Sequence, residues 1–242
     1  MKITELQKDL AATFRWAARL NMNEGVANHF SACVPGSSTD FYVNKAGIHF
    51  SRIKASDLIL VTKDNIEDLK TKPDVVDATA ISIHGTIHQK VPHAKCIFHV
   101  HSKYSTALSA LKDSILPPID QNTMRFFNRV SIYNEYGGMG FEDESIKMAS
   151  ALGNKQHMLL ANHGILTTGE TISEGFDALY YFEKSAETYL TALSTNKELN
   201  IVSDEIAEKT AQEWSDYPSD LARAHLDQIR LILDKEEPDY KN

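Results

Sequence analysis

His99 and His101 stand two apart in the apolar run CIFHVH. In a strand that spacing sends both imidazoles to one face, while Phe98 and Val100 point to the other. Two imidazoles on one face are a chelating pair. Held at about 2.0–2.1 Å they fill half of a tetrahedral zinc shell, and a catalytic ion needs a third ligand and one open position. His163 is the third candidate, since it follows the apolar run MLLAN and precedes Gly164, which places it at the end of a buried strand with room for close approach. An H-x-H pair can also be two satisfied core histidines, but burying imidazoles beside Ile97 costs free energy unless something pairs with them. The expected cofactor is one divalent ion per chain, zinc first, with Mn, Co or Fe as alternatives.

Glu183 is the next clue. It falls within the apolar stripe Ile172, Phe176, Leu179, Ala186, Leu190 and Leu193, where a carboxylate needs a partner. Accepting the free N–H of a metal-bound histidine would satisfy it from the second shell; a pair with Lys184, Arg125 or Arg129 is the alternative. His84 and His88 are four apart at helical spacing and lack a carboxylate or Cys partner at fixed spacing, so they read as structural, with His84 the nearer to an active site.

These residues need elements to hold them. Leu6, Leu10, Phe14, Ala17 and Leu20 recur at helical spacing between Ile3 and Met22. The runs HFSACV, FYV and LILVT read as short strands separated by turn residues. DVVDATAISIHGTIHQ, residues 74–89, reads as a helix that the following VPH ends. CIFHVH is then a strand, Ser102 the N-cap of a helix, and HMLLANHG a second strand closed by the turn TTGE. Thr171 and Glu174 have capping-box spacing and open a long helix to about Ser194. Residues 1–202 are read as one domain, and 203–242 as a helical tail packing on it or on a neighbouring subunit. The alternation of strands and helices makes the class α/β.

The composition narrows the function classes. The chain has 242 residues, 42% hydrophobic and 24% charged, enough to bury a core without staples. A formal net charge of −8 without a basic run argues against nucleic acid and anionic membrane as partners, and leaves a small molecule. Cys33 and Cys96 are too few for a disulfide framework, and neither a signal peptide nor a membrane span can be drawn at the N-terminus, so the expected location is cytoplasmic.

HVHSKYSTALSAL resembles the H-x-H and S/T-A-L pattern of the class II aldolase/adducin family, and LLANHGILTTGETISEGFDALYYFEKSAETYL resembles its L-L-x-N-H-G and E-x-A block. The resemblance extends from Gly25 to about Leu193. It implies that His99, His101 and His163 ligate the metal. It also implies a three-layer α/β/α sandwich with a mainly antiparallel central sheet, and a homotetramer with active sites at subunit interfaces. The implied chemistry polarises a carbonyl and stabilises the enediolate or carbanion left by a breaking C–C or C–H bond.

The sequence departs from the sugar-phosphate aldolases of that family. Their P-S-S-E motif, which carries the acid/base Glu, is matched over its last three positions by Ala78, Thr79 and Ala80, so that Glu is missing. Their T-G phosphate element is matched by Ala46 and Gly47, their G-N-x-S turn by Asn28, His29, Phe30 and Ser31, and a tyrosine donated across the interface by Gln121. The stretches around His29, Asn44, Gln121 and Tyr133–Gly137 are similar to the adducin-like subgroup. By this matching His29, Ser31, Asn44, Gly47, His84 and Gln121 are the substrate-binding candidates. Asp77, Glu135 and Tyr136 are the nearest replacement proton-transfer groups, although a residue such as Asp77 is more often just the N-cap of its helix. Tyr240 resembles a C-terminal tyrosine that some members swing over a neighbouring site. The expected activity is a metal-dependent lyase that cleaves a C–C bond, by retro-aldol reaction or decarboxylation, in a small hydroxy-carbonyl substrate. A sugar-phosphate epimerase or dehydratase, and a non-catalytic scaffold like the adducin head, are the alternatives.

Overall fold

The computed structural model describes residues 3–138, 143–218 and 220–242. Its elements are α1 (Glu5–Arg19), β1 (His29–Cys33), β2 (Phe41–Asn44), β3 (Leu58–Val61), α2 (Ile66–Lys70), α3 (Ala78–Lys90), β4 (Cys96–Val100) and α4 (Lys103–Ser109). They continue with β5 (Val130–Tyr133), α5 (Asp143–Leu152), β6 (His157–Leu160), β7 (Gly164–Gly169), α6 (Ile172–Leu193), α7 (Asp204–Ser215) and α8 (Leu221–Glu236). The strands form one seven-stranded sheet in the order β3-β2-β1-β4-β7-β6-β5.

The sheet is mixed, which corrects the mainly antiparallel expectation. β5 joins β6 in parallel; α5 lies between them in the chain, and a parallel neighbour needs such a crossover. The other pairings are antiparallel, including β1 with β4, where His29 lies opposite His99. Alternation along β4 sends Phe98 and Val100 into a core shared with Phe14 of α1, Leu179 of α6 and Leu226 of α8. Ile97 points to the other face, among Ile83 and Ile87 of α3 and Met148 and Leu152 of α5.

Helix termini follow the expected chemistry. Thr171 and Glu174 make the capping box that opens α6, and Thr4 with Gln7 makes another at α1. Two segments differ from the sequence reading. The helix expected over residues 74–89 begins only at Ala78, because Asp77 accepts the Thr79 amide and fixes the N-cap there. HMLLANHG is not one strand: β6 stops at Leu160, and β7 runs from Gly164 through the TTG that was expected to be a turn. β5 and α5 had no clear periodic signal, since the first has four residues and the second follows a glycine-rich stretch.

The C-terminal segment closes over α1. Arg15, buried on α1, donates to Glu237 and Asp239, each at 3.1 Å. Asp9 accepts from Arg223 at 2.7 Å and from Arg230 at 2.6 Å. The Tyr240 ring is fully buried and its hydroxyl donates to Asp234. In this chain that ring packs into the core, and it is not among the residues lining the cavity beside the three histidines.

Candidate metal centre

β4 ends at Val100, so His99 is its penultimate residue and His101 is the first beyond it. The turn 161–163 joins β6 to β7 and carries His163. Two features hold that turn in place, one against α4 and one against β4. The Asn162 amide donates to the Ser109 carbonyl at 3.0 Å, with Asn162 at φ 56°. Gly164 packs so closely that a Cβ there would lie 2.4 Å from the Val100 carbonyl oxygen. Only glycine permits that approach. The three histidines consequently converge, with one ligand atom from each within 4.8 Å of the others. Ring centroids are 5.0 Å apart for His99 and His101, 4.8 Å for His99 and His163, and 4.6 Å for His101 and His163.

The hydrogen bonds behind the rings decide which nitrogens face the centre. His99 Nδ1 donates to the Ile165 carbonyl at 3.0 Å, and His101 Nδ1 donates to Glu24 Oε2 at 2.6 Å. With both rings neutral, each has one N–H, so both Nε2 atoms present lone pairs, and these lie 3.2 Å apart. Two lone pairs at that distance repel each other unless a cation, either a metal ion or a proton held on one ring, sits between them. A tetrahedral ion with bonds of about 2.0–2.1 Å sets its ligand nitrogens roughly 3.3 Å apart. The donor set therefore fits a divalent metal. Burial, reinforced by the neighbouring imidazoles, holds His99 well below the usual histidine range, and the same causes bring His163 to about 4. Both stay neutral and available as ligands at physiological pH.

Beside the three rings lies a cavity of about 500 Å³, lined among others by Glu24, Asn28, His29, Asp77, Thr79, Thr106 and Tyr136. Size alone does not single it out, since a cleft of about 840 Å³ near α2, α3 and α5 is larger but is lined by no histidine. Among the substrate-binding candidates His29 lines the cavity, and Ser31 and His84 lie directly behind it. The other three are elsewhere. Asn44 is buried and joins β2 to the start of β1, accepting from the Phe30 amide and donating to the Asn28 carbonyl, each at 3.3 Å. Gly47 sits in a turn at φ 74°, and the exposed Gln121 accepts the Trp214 indole N–H on its carbonyl. Of the proton-transfer candidates, Asp77 and Tyr136 line the cavity. Glu135 instead stands on the surface 3.5 Å from Lys147 and does not line it.

The hydrogen bonds of Glu183 go elsewhere than to a candidate ligand. Glu183 accepts from the Ser102 hydroxyl at 2.6 Å, the Tyr104 amide at 2.8 Å, and the amide and hydroxyl of Ser105 at 2.9 and 2.6 Å. It thus caps the start of α4, the helix that begins two residues after His101, where N–H groups lack helical partners. The carboxylate that holds a candidate ligand is Glu24, in the loop before β1. Nothing periodic marks Glu24, so sequence reasoning passes over it. Thr106 is passed over for the same reason, while Asn28 enters the sequence reading only as a member of the turn matched to G-N-x-S and not as a site residue. Asn28 Oδ1 accepts the Glu24 amide at 2.9 Å, while its buried Nδ2 and the buried Thr106 Oγ1 have no partner among the described residues.

Comparison with known proteins agrees with this architecture. Residues 8–190 match the Class II Aldolase and Adducin N-terminal domain. The chain belongs to the class II aldolase and adducin family. It is 30% identical to a putative aldolase class 2 protein of Caulobacter vibrioides, over 83% of this chain and 77% of that one. It is 27% identical to the decarboxylase NovR of Streptomyces niveus, over 88% of this chain and 73% of the relative. The structure of L-fuculose 1-phosphate aldolase from Glaciozyma antarctica superposes with a TM-score of 0.82 at 27% identity, covering 98% of this chain and 92% of that one.

Proposed function

We propose that the protein is a metal-dependent lyase which cleaves a carbon–carbon bond, by retro-aldol reaction or decarboxylation, in a small hydroxy-carbonyl substrate. The observation that carries this reading is the approach of the His99 and His101 Nε2 atoms to 3.2 Å, with His163 closing the set. His99, His101 and His163 would hold one divalent ion, zinc first. When bound, such an ion supplies Lewis acidity that polarises a substrate carbonyl and stabilises the negative charge left as the neighbouring bond breaks.

The chain's own residues would do the rest. Asn28 Nδ2 and Thr106 Oγ1, buried without partners on the cavity wall, offer hydrogen bonds that a substrate oxygen would complete. Tyr136, its ring 6.3 Å from that of His163, would deliver a proton to the product. Asp77 has its carboxyl held below its usual range: burial pushes it up, but the hydrogen bonds from Thr79 and the nearby His29 outweigh that. It would stay ionised and steady the cavity wall. Among the described residues no Lys or Arg lines the cavity, which favours a substrate without phosphate over the sugar-phosphate alternatives.

The buried, free cysteines Cys33 and Cys96 suit a reducing cytoplasm, and no described helix is long and apolar enough to cross a membrane. A homotetramer is the assembly we expect. The test joins metal analysis to a substrate panel: zinc-loaded protein is screened for release of pyruvate, glycolaldehyde or carbon dioxide from phosphorylated and non-phosphorylated hydroxy-carbonyl compounds. Release from non-phosphorylated compounds with one metal per chain supports the reading. Bound metal with no release from any compound would favour a non-catalytic scaffold.

A further inference from the structure

Behind the cavity wall runs a chain of buried polar groups that nothing so far has used. His29, Ser31 and Cys33 alternate along β1 and so share the face that meets α3, where His84 and His88, four residues apart, share a face of the helix. The two rows interlock. His29 Nδ1 lies 2.7 Å from His84 Nε2, and His84 Nδ1 lies 2.5 Å from Ser31 Oγ. Ser31 Oγ lies 2.7 Å from His88 Nε2, and His88 Nδ1 lies 2.7 Å from the Ala94 carbonyl oxygen, with Cys33 Sγ at 3.2 Å. His84 and Ser31 are wholly buried and His29 and His88 nearly so. With water excluded, each donor must meet an acceptor within the chain.

The Ala94 end sets the direction. A carbonyl oxygen only accepts, so His88 Nδ1 carries the proton and its Nε2, in a neutral ring, is bare. Ser31 must then donate to His88, and having one proton it must accept from His84 Nδ1–H. His84 Nε2 is thereby bare and accepts from His29 Nδ1–H. Each step follows from the one before, and the last leaves His29 Nε2 without a proton at the cavity edge. There it lies 3.3 Å from Thr79 Oγ1, whose own proton is committed to Asp77 Oδ1 at 2.6 Å. The contact with Thr79 is the longest among the nitrogen and oxygen atoms of the chain and the one that yields. The opposite direction would set a His88 lone pair against the Ala94 oxygen at 2.7 Å.

We propose that Ser31, His84 and His88 are positioning residues. They form a one-way hydrogen-bond chain, anchored on the Ala94 carbonyl, that locks His29 in its Nδ1–H tautomer and presents a bare Nε2 to the cavity as the acceptor for a substrate hydroxyl. The locking rests on the hydrogen-bond geometry alone, while the substrate hydroxyl rests on the lyase reading above. The cavity then offers acceptor and donors on different groups, His29 Nε2 for a hydroxyl and Asn28 Nδ2 for an oxygen, as a hydroxy-carbonyl compound requires.

The experiment is a two-bond proton–nitrogen correlation on full-length protein labelled with ¹⁵N-histidine and loaded with zinc, which distinguishes the two tautomers without any substrate. His29, His84 and His88 are expected to be Nδ1–H. An Nε2–H signal for His29 or His84 in the wild type overturns the proposal, whatever the activity assays give. In Ser31→Ala the chain is cut, and His29 is expected to become a mixture of tautomers while zinc content is unchanged. Ser31→Thr, which keeps the hydroxyl, should restore the single tautomer. If Ser31→Ala leaves His29 purely Nδ1–H, the chain is not what fixes it. If neither variant folds, the wild-type spectrum alone decides. A pure Nδ1–H spectrum together with no lyase activity would retain the locking and remove only the lyase reading.

Discussion

His101 Nδ1 donates to Glu24 at 2.6 Å, so the residue that orients a candidate metal ligand comes from a loop 77 positions earlier in the chain. Because a carboxylate behind an imidazole fixes its tautomer and raises its basicity, Glu24→Gln should weaken zinc binding by about 10–100-fold. Competitive titration against a chromophoric chelator reads this directly. An unchanged affinity would mean that His101 is oriented by something else.

His163→Ala should abolish stable metal loading, because two ligands on one strand leave half a shell. Elemental analysis should find less than about one ion per two chains, and zinc should no longer raise the melting temperature, since an ion that binds only the folded state stabilises it. Glu135→Gln is the matched control. Its side chain is 72% exposed beside Lys147, and both metal content and turnover should stay at wild-type values.

Gly164→Ala should affect the centre without altering any ligand. The added methyl would meet the Val100 oxygen at 2.4 Å and force β7 off the end of β4. A cost of about 2–4 kcal/mol in chemical denaturation, with lowered zinc affinity, is the expected outcome.

Glu183→Gln should cost about 1–3 kcal/mol, because two buried hydroxyls and two amides at the start of α4 lose a charged acceptor. Hydrogen exchange is expected to rise first in α4. Protection unchanged there would show that the helix start does not depend on this carboxylate.

Acid should destabilise the protein well before its carboxylates titrate. Burial holds His88 at about 4 and His157 at about 3, against an ordinary value of 6.5. Between those limits the unfolded chain binds protons that the folded one refuses. Stability is therefore complete above about pH 6.5 and falls as pH drops toward 4, each such group contributing up to about 1.4 kcal/mol per pH unit. Melting curves recorded from neutral pH down to about pH 4.5 test this, and a flat profile over that range would contradict it.

The clustering of His99 with His101 and the α/β class could be read from the sequence because both rest on short-range rules. A two-residue repeat puts His99 and His101 on one face, and a capping box announces α6. Glu24, Asn28 and Thr106 obey no such rule. Glu24 and Asn28 reach the cavity from the loop before β1, where a turn at φ 76° such as that of Asn28 leaves no periodic trace, and Thr106 reaches it from α4. Glu183 shows a subtler limit. Its position in an apolar stripe signalled that a buried carboxylate needed partners, but spacing could not tell the hydroxyls and amides of α4 from a histidine two residues away. His88 was set aside for want of a carboxylate, and its partners proved to be Ser31 and a backbone carbonyl. β7 was missed because TTG has turn composition, and pairing with β4 overrides that local preference.

The clasp of the C-terminal segment on α1 bears on the order of events during synthesis. Arg15 meets Glu237 across 222 positions, and Asp9 meets Arg230 across 221. While the chain is still on the ribosome, α1 carries a positive and a negative charge on its packing surface with their counter-ions not yet made. Until α8 and the residues after it dock, that face of α1 stays charged and open to water. Docking covers two opposite charges and neutralises both at once, so α1 and the C-terminal segment complete one another.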